Sequence, residues 1–321
     1  MPPPEVSIVI PAYNMKDYLK GCLSSLSQQY YRNFEIIVSD DASEDDTDIM
    51  VQTQFPEVKI IRNHTNRGAV YSRNTAIKNA NGIYIATLDA DTSVDTMWLW
   101  ALVETIKRDH AVGMCSCKIL RFEQRTIVDN IGHALYYDFS PQHIGMGLEE
   151  GLLPGKVERL FGVCLAGALI KKEIFYKVGF FDEDYGENFG DDEWTWRARL
   201  AGYQCAYVPA AIMYHRRLNS RIVNTKQIFL WERNRILSMA KYYTIPMVMA
   251  SIWYSLKRFG IALSRRENKA RFLTIPFVLI KAWKEALMAL PVFLRKRKEE
   301  VVKDRDTIIE MKKFLCRHWK S

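Results

Sequence analysis

The chain of 321 residues is 48% hydrophobic and 26% charged, with a formal net charge of +8. This excludes a disordered polymer and is enough for a full α/β core with an appendage. Its six cysteines (Cys22, Cys115, Cys117, Cys164, Cys205 and Cys316) form no C-x-x-C pair and mostly lie in apolar runs, which excludes a zinc ribbon or disulfide scaffold and points to a reducing compartment.

The start, Met1-Pro2-Pro3-Pro4-Glu5, has no basic segment followed by an apolar one, so no signal peptide is expected. Val6-Ser7-Ile8-Val9-Ile10 is a short apolar run of the buried parallel type. Leu19, Cys22, Leu23 and Leu26 then fall on one helical face. Residues 34–38, 58–61, 83–88 and 112–120 read as further strands, and residues 69–80 and 95–107 as helices between them. Strand and helix at this spacing predict a mainly parallel sheet with right-handed crossovers. Residues 123–160, with Gly132, Gly145, Gly147 and Gly151, read as loops near a site. Strand and helix return over 165–178, a helix is expected over 191–201, and Ala211-Ile212-Met213-Tyr214 is strand-like. Beyond His215 the pattern predicts long helices at 223–243, 245–264, 271–298 and 301–318, with no sheet strand from 245–318. The division expected is 1–222 and 223–321.

In open α/β sheets ligands sit beyond the carboxyl ends of the strands. Those ends are Pro11-Ala12-Tyr13-Asn14, Asp40-Asp41-Ala42-Ser43-Glu44-Asp45 and Asp89-Ala90-Asp91. Neither G-x-G-x-x-G after the first strand nor G-x-x-x-x-G-K-[ST] occurs, so the usual dinucleotide and P-loop patterns are excluded. Asp89 and Asp91, one residue apart past a strand, point to the same side and suit Mg²⁺ or Mn²⁺ with phosphate oxygens completing the sphere; a solvated acidic turn is the plainer alternative. Asp191-Asp192-Glu193 precedes Trp194 and Trp196, where carboxylates of a first turn would cap a helix. His215 reads by itself as a packed or surface histidine, and Arg67 and Arg73 are either surface charges or partners of a phosphate.

Taken together these segments resemble the family 2 glycosyltransferases of GT-A fold. The resemblance is carried by 6–14, 40–45, Asn66-Arg67-Gly68, Arg73-Asn74, 89–91, Gly167-Ala168-Leu169, 178–183 and 190–197, and covers about 5–215. It implies an inverting enzyme using a nucleotide-sugar donor. By this resemblance Pro11, Tyr13 and Asp40, with Asn14 beside them, line a nucleobase pocket, and Arg67 and Arg73 serve the donor. Asp89 lies near the ribose and metal, Asp91 holds Mg²⁺ or Mn²⁺, and His215 completes the sphere. Asp192, with Asp191 beside it, takes the place of the base that activates the acceptor; the family often has Glu-Asp here. The expected acceptor is a glycan or lipid-linked oligosaccharide. The alternative is a non-catalytic nucleotide-sugar-binding or scaffold protein.

The charge is divided unevenly. Residues 1–215 carry 20 Lys+Arg against 29 Asp+Glu, and 216–321 carry 25 against 8. The tail interleaves Lys257, Arg258, Arg265, Arg266, Lys281, Lys284 and 295–298 with Trp253, Tyr254, Phe259, Phe272, Phe277, Trp283 and Phe293. It has neither glycine-aromatic RNA signatures nor zinc spacing, so an anionic membrane surface is expected and nucleic acid is not. A helical dimerisation surface is the bland alternative. The run Tyr242–Leu256, 15 residues, is short of the ~18 a spanning helix needs, so a peripheral place on the cytoplasmic face is expected.

Overall fold

The structure, a computed structural model, describes residues 3–153, 157, 160–186, 189–218, 225–264, 269–300 and 315–316. Contacts divide it into two compact units, Met1–His133 with His143–Asn219, and Ala134–Gln142 with Ser220–Ser321. The excursion Ala134–Gln142, kept with the first unit by the sequence reading, groups with the second.

The first unit runs β1 (Val6–Ala12), α1 (Lys16–Leu26), β2 (Phe34–Asp40), α2 (Thr47–Gln54), β3 (Lys59–Arg62), α3 (Ala69–Lys78), β4 (Tyr84–Leu88), β5 (Thr92–Val94), α4 (Trp98–Arg108), β6 (Val112–Arg121), β7 (Gln124–Asn130), β8 (His133–Tyr136), β9 (Pro141–His143), β10 (Gly167–Lys171), α5 (Lys172–Val178), α6 (Gly190–Leu200) and β11 (Gln204–His215), the chain leaving it within β8 and returning within β9. The main sheet has the order β3-β2-β1-β4-β10-β6-β11-β5, with β7 on β6. The β3-β2-β1-β4 block and the β6–β11 pair are parallel; β10 lies antiparallel between β4 and β6. All seven residues of β1 are buried, because parallel neighbours lie on both edges and helices on both faces. Alternation divides them: Val6, Ile8 and Ile10 join the core under α1 and α4, whereas Val9 joins the core under α3, α5 and α6.

Three departures from the sequence reading have local causes. Residues 123–160 hold strands β7, β8 and β9 rather than loops only, because their pattern is too short and polar to read as periodic. The strand ending at His215 starts at Gln204, its pairing to β6 interrupted by irregularities that break its alternation. The short β5 pairs antiparallel with β11, setting His215 opposite Thr92.

The second unit contains α7 (Thr225–Tyr242), α8 (Ile245–Ser264), α9 (Lys269–Glu300) and β12 (Leu315–Cys316). α9 buries Ala282, Ala286 and Phe293, while the Arg297 guanidinium donates to the Ala240 and Tyr243 carbonyls at 2.8 Å each and so satisfies the end of α7. Phe139 packs on Tyr242 and Tyr243. Leu315–Cys316 pairs with Leu135–Tyr136 of β8, which corrects both the helix expected over 301–318 and the expectation of no strand from 245–318. The rest of 301–318, with Arg265 and Arg266, lies outside the described residues, as do the side chains of Tyr254, Arg258, Phe259, Phe272 and Lys298.

Candidate active site

The β3-β2-β1-β4 order lines up the carboxyl ends of β1, β2 and β4 along one edge. At the end of β1, Pro11 is buried, Tyr13 is exposed, and Asn14 adopts positive φ. The Asn14 N–H donates to Ser43 Oγ (2.9 Å), and its Oδ1 accepts from Glu44 N–H (2.8 Å), which ties the β1 and β2 ends together. Asp40, fully buried at the end of β2, accepts from Ser43 N–H and faces Arg62 at 3.2 Å. Its Oδ2 makes no hydrogen bond of good geometry. Burial outweighs these partners and raises its pKa. Asp41 accepts from Arg67 N–H (3.0 Å), Gly68 N–H (2.7 Å) and Asn63 Nδ2 (2.8 Å), fixing the turn into α3. The sequence reading quoted Asp41 without a role; the doubled carboxylate was its signal.

Past β4, ligand atoms of Asp89, Asp91 and His215 lie within 4.8 Å of one another. Arg73, nearly buried, donates to Asp89 at 2.7 Å. His215 Nε2 lies 3.3 Å from Asp91 and its Nδ1 3.3 Å from Asp129, which also holds Arg217 at 3.0 Å. Burial would lower the His215 pKa, but Asp129 and Asp91 win and push it up to about 10. Burial would raise Asp91, but the His215 hydrogen bond and charge lower it. Arg67 lies apart from these contacts: its guanidinium stacks 3.9 Å over Tyr71, and Glu183 is 3.7 Å away.

A second cluster sits at the start of α6. His133 Nδ1 is 3.1 Å from Asp192 and 3.9 Å from Asp191. The α6 first turn carries Asp191, Asp192 and Glu193, where carboxylates favour the helix dipole. Glu193 is committed elsewhere: it takes a buried, two-point pair from Arg197 at 3.0 and 2.8 Å. Arg197 and Trp194 then bond the 178–180 carbonyls, anchoring α6. Burial raises Asp192 to about 6, with Asp191 adding to the rise and His133 opposing it. Adjacent residues of β7 serve the two clusters: Asp129 meets His215, and Asn130 meets His133 (3.0 Å) and His143 (2.9 Å). Asp129, Asn130, His133 and Arg217 were not picked out from sequence. The first three lie where periodicity gives no reading, and Asp-Asn-x-Gly-His between apolar residues was the only cue.

The sequence matches Glycosyl transferase family 2 over residues 7–179. The chain belongs to that family. Relatives include an Escherichia coli UDP-Glc:alpha-D-GlcNAc-diphosphoundecaprenol beta-1,3-glucosyltransferase, WfaP, 46% identical over 87 residues, covering 27% of this chain and 35% of that protein. A Staphylococcus aureus poly-beta-1,6-N-acetyl-D-glucosamine synthase is 27% identical over 211 residues, covering 65% of this chain and 49% of that one. The chain thus spans from about a third to a half of these two relatives' lengths. Among solved structures, S. aureus TarS 1-349 in complex with UDP-GlcNAc aligns at TM-score 0.60 and 17% identity, covering 96% of this chain and 89% of that one. The Pyrobaculum calidifontis mannosyltransferase PcManGT in complex with GDP-Man and Mn²⁺ aligns at 0.56 and 18%, covering 89% and 87%. These likenesses show the GT-A fold.

Proposed function

We propose that this family 2 glycosyltransferase is an inverting, divalent-metal-dependent enzyme that moves a sugar from a nucleoside diphosphate to the hydroxyl of a glycan or lipid-linked acceptor. The observation that carries the reading is the division of the site into two clusters. One is Asp89, Asp91 and His215 beside the Arg73 guanidinium; the other is Asp192 at a helix start, held by His133 and flanked by Asp191.

Two carboxylates and one imidazole, with Arg73 alongside, fit Mg²⁺ or Mn²⁺; the imidazole favours Mn²⁺. Asp91, Asp89 and His215 would hold the ion, with His215 neutral there. Such an ion offsets charge that grows on a leaving diphosphate. Pro11, Tyr13, Asn14 and Asp40 form the nucleobase pocket, with Asp40, which also faces Arg62, accepting from the base. Arg73, with Asp89, and Arg67 serve the ribose and diphosphate side. Asp192, with Asp191 beside it, is the base. As the acceptor oxygen bonds to the anomeric carbon and the bond to the diphosphate breaks, Asp192 takes the hydroxyl proton; a single displacement of this kind inverts the centre.

The second unit supports a membrane partner. α9 exposes Phe277, Ile280, Trp283, Leu287, Met288 and Leu294 beside exposed Lys281, Lys284 and Arg295. No helix among the described residues is long and apolar enough to cross a membrane, so this face suits lying in an anionic interface. A lipid-linked acceptor at the cytoplasmic face follows from that reading, and WfaP's diphosphoundecaprenol substrate is of this kind. The test is a screen of UDP-glucose, UDP-GlcNAc and GDP-mannose for Mn²⁺-dependent nucleoside diphosphate release, with and without a polyprenyl-diphosphate sugar. Release stimulated by that acceptor supports the reading. Binding of the same nucleotides without release from any of them refutes catalysis and favours a binding protein.

A further inference from the structure

His133 has an unusually determined environment. Gly132 before it sits at φ 131°, and a β-carbon there would strike Leu160 and the Gly162 carbonyl. The His133 backbone is held from both sides: its N–H donates to Gly162 O (2.9 Å), and its carbonyl accepts from Phe161 N–H (2.8 Å) and Gly162 N–H (3.1 Å). Arg199 of α6 donates to the Phe161 carbonyl at 2.8 Å, so α6 and the strand carrying His133 share one support.

The side chain is fixed as well. Gly132 N–H donates to Asn130 Oδ1 at 2.7 Å, which settles which end of that amide is oxygen. Asn130 Nδ2 must then be the group aimed at His133 Nε2 (3.0 Å) and His143 Nδ1 (2.9 Å). Both ring nitrogens are therefore acceptors. The His133 proton is left on Nδ1, which lies 3.1 Å from Asp192 Oδ1 and 3.9 Å from Asp191.

We propose that His133 is a positioning residue for transfer: its Nδ1–H holds one oxygen of Asp192 so that the other faces the acceptor hydroxyl, and Asn130 locks the imidazole in that tautomer. This rests on the reading of Asp192 as the base. The proton removed from the acceptor goes to Asp192 and then to solvent as product leaves; His133 carries none of it. The groups facing His133 are Asp192, Asp191 and the Cys164 thiol, while Arg217 and Asp129 act on neighbouring His143. The carboxylates and the Cys164 thiol favour a second proton on the imidazole, and the Asn130 Nδ2 donor at Nε2 opposes it. Burial and the Arg217 charge lower the His143 pKa, so its ring is neutral, as an acceptor must be.

The test uses the full chain. Nitrogen-15 spectra of histidine-labelled protein, with His133 assigned by its loss in His133→Asn, should show a neutral Nδ1–H ring at pH 7.5. An Nε2–H tautomer or an imidazolium overturns the proposal, whatever the enzyme's turnover. In Mn²⁺-dependent donor hydrolysis, where water replaces the acceptor, His133→Ala and His133→Gln should lower kcat by on the order of 10–100-fold with UDP affinity retained. His133→Asn, which keeps a donor at the Nδ1 position, should recover most of that loss. The acid limb of kcat should rise in pH in His133→Ala, since a bond favouring the ionised carboxylate is gone. Equal kcat in the Ala and Asn variants, or an unmoved limb, rejects positioning. Asp192→Asn run alongside separates the two ideas: if it is inactive while His133→Ala is normal, only the positioning fails, and if it is active, the base assignment itself fails.

Discussion

Asp192 and Asp91 are both aspartates beside a histidine, yet their surroundings drive them apart. Asp192 is buried, with Asp191 as a like charge, and is raised to about 6, whereas Asp91 is lowered by His215. A base must be ionised, so kcat should fall about tenfold per pH unit below about 6 and level off above it. A rate profile flat from pH 5 to 8 contradicts this role for Asp192. Arg73 gives a second check. Its guanidinium holds Asp89 at 2.7 Å, so Arg73→Ala should raise donor KM by on the order of tenfold and weaken Mn²⁺-dependent UDP binding, measured by calorimetry. Unchanged UDP binding would reduce Arg73 to a structural contact.

At the scale of elements, Glu193 of α6 is tied to Arg197, which sets it apart from Asp192, the proposed base. Glu193 and Arg197 are almost wholly buried and joined at two points. Removing one partner leaves a bare buried charge, so Arg197→Ala should cost about 3–5 kcal/mol, read as a lower urea midpoint. Glu193→Gln with Arg197→Met should restore part of this. If the single variant is as stable as the parent, the pair is not what anchors α6. Elements with strong periodicity were legible from sequence: α1 buries the four residues read as its face, Leu19, Cys22, Leu23 and Leu26. The β7–β9 region was not, because its strands are short and its partners distant in sequence. Asp129 meets His215 across 86 residues, and His133 meets Asp192 across 59. No local pattern encodes such pairings. The carboxylate motifs at the strand ends could be read because neighbouring parallel strands place their carboxyl ends together; His215 joins Asp89 and Asp91 through the antiparallel pairing of β5 with β11, which sets it opposite Thr92.

The whole molecule joins an acidic catalytic unit to a basic helical one, and each should answer to a different probe. The exposed face of α9 should bind vesicles containing phosphatidylglycerol more tightly than neutral vesicles and lose that preference in high salt, at about 1 kcal/mol per nearby basic residue. Trp283→Glu with Leu287→Glu should lower vesicle binding at least tenfold without altering the melting temperature. Equal partition of parent and variant would leave the face to a partner chain. The catalytic unit is tested most directly by measuring Mn²⁺-dependent UDP affinity and turnover together in Asp91→Ala, Asp191→Asn and Asp192→Asn. The expected result is that Asp91→Ala loses both with its fold intact. Asp192→Asn should keep UDP affinity and lose turnover by on the order of 10²–10⁴-fold, and Asp191→Asn should lose less. Near-normal turnover in Asp91→Ala, or turnover indifferent to a chelator, would contradict the metal assignment, and a greater loss in Asp191→Asn than in Asp192→Asn would contradict the choice of base.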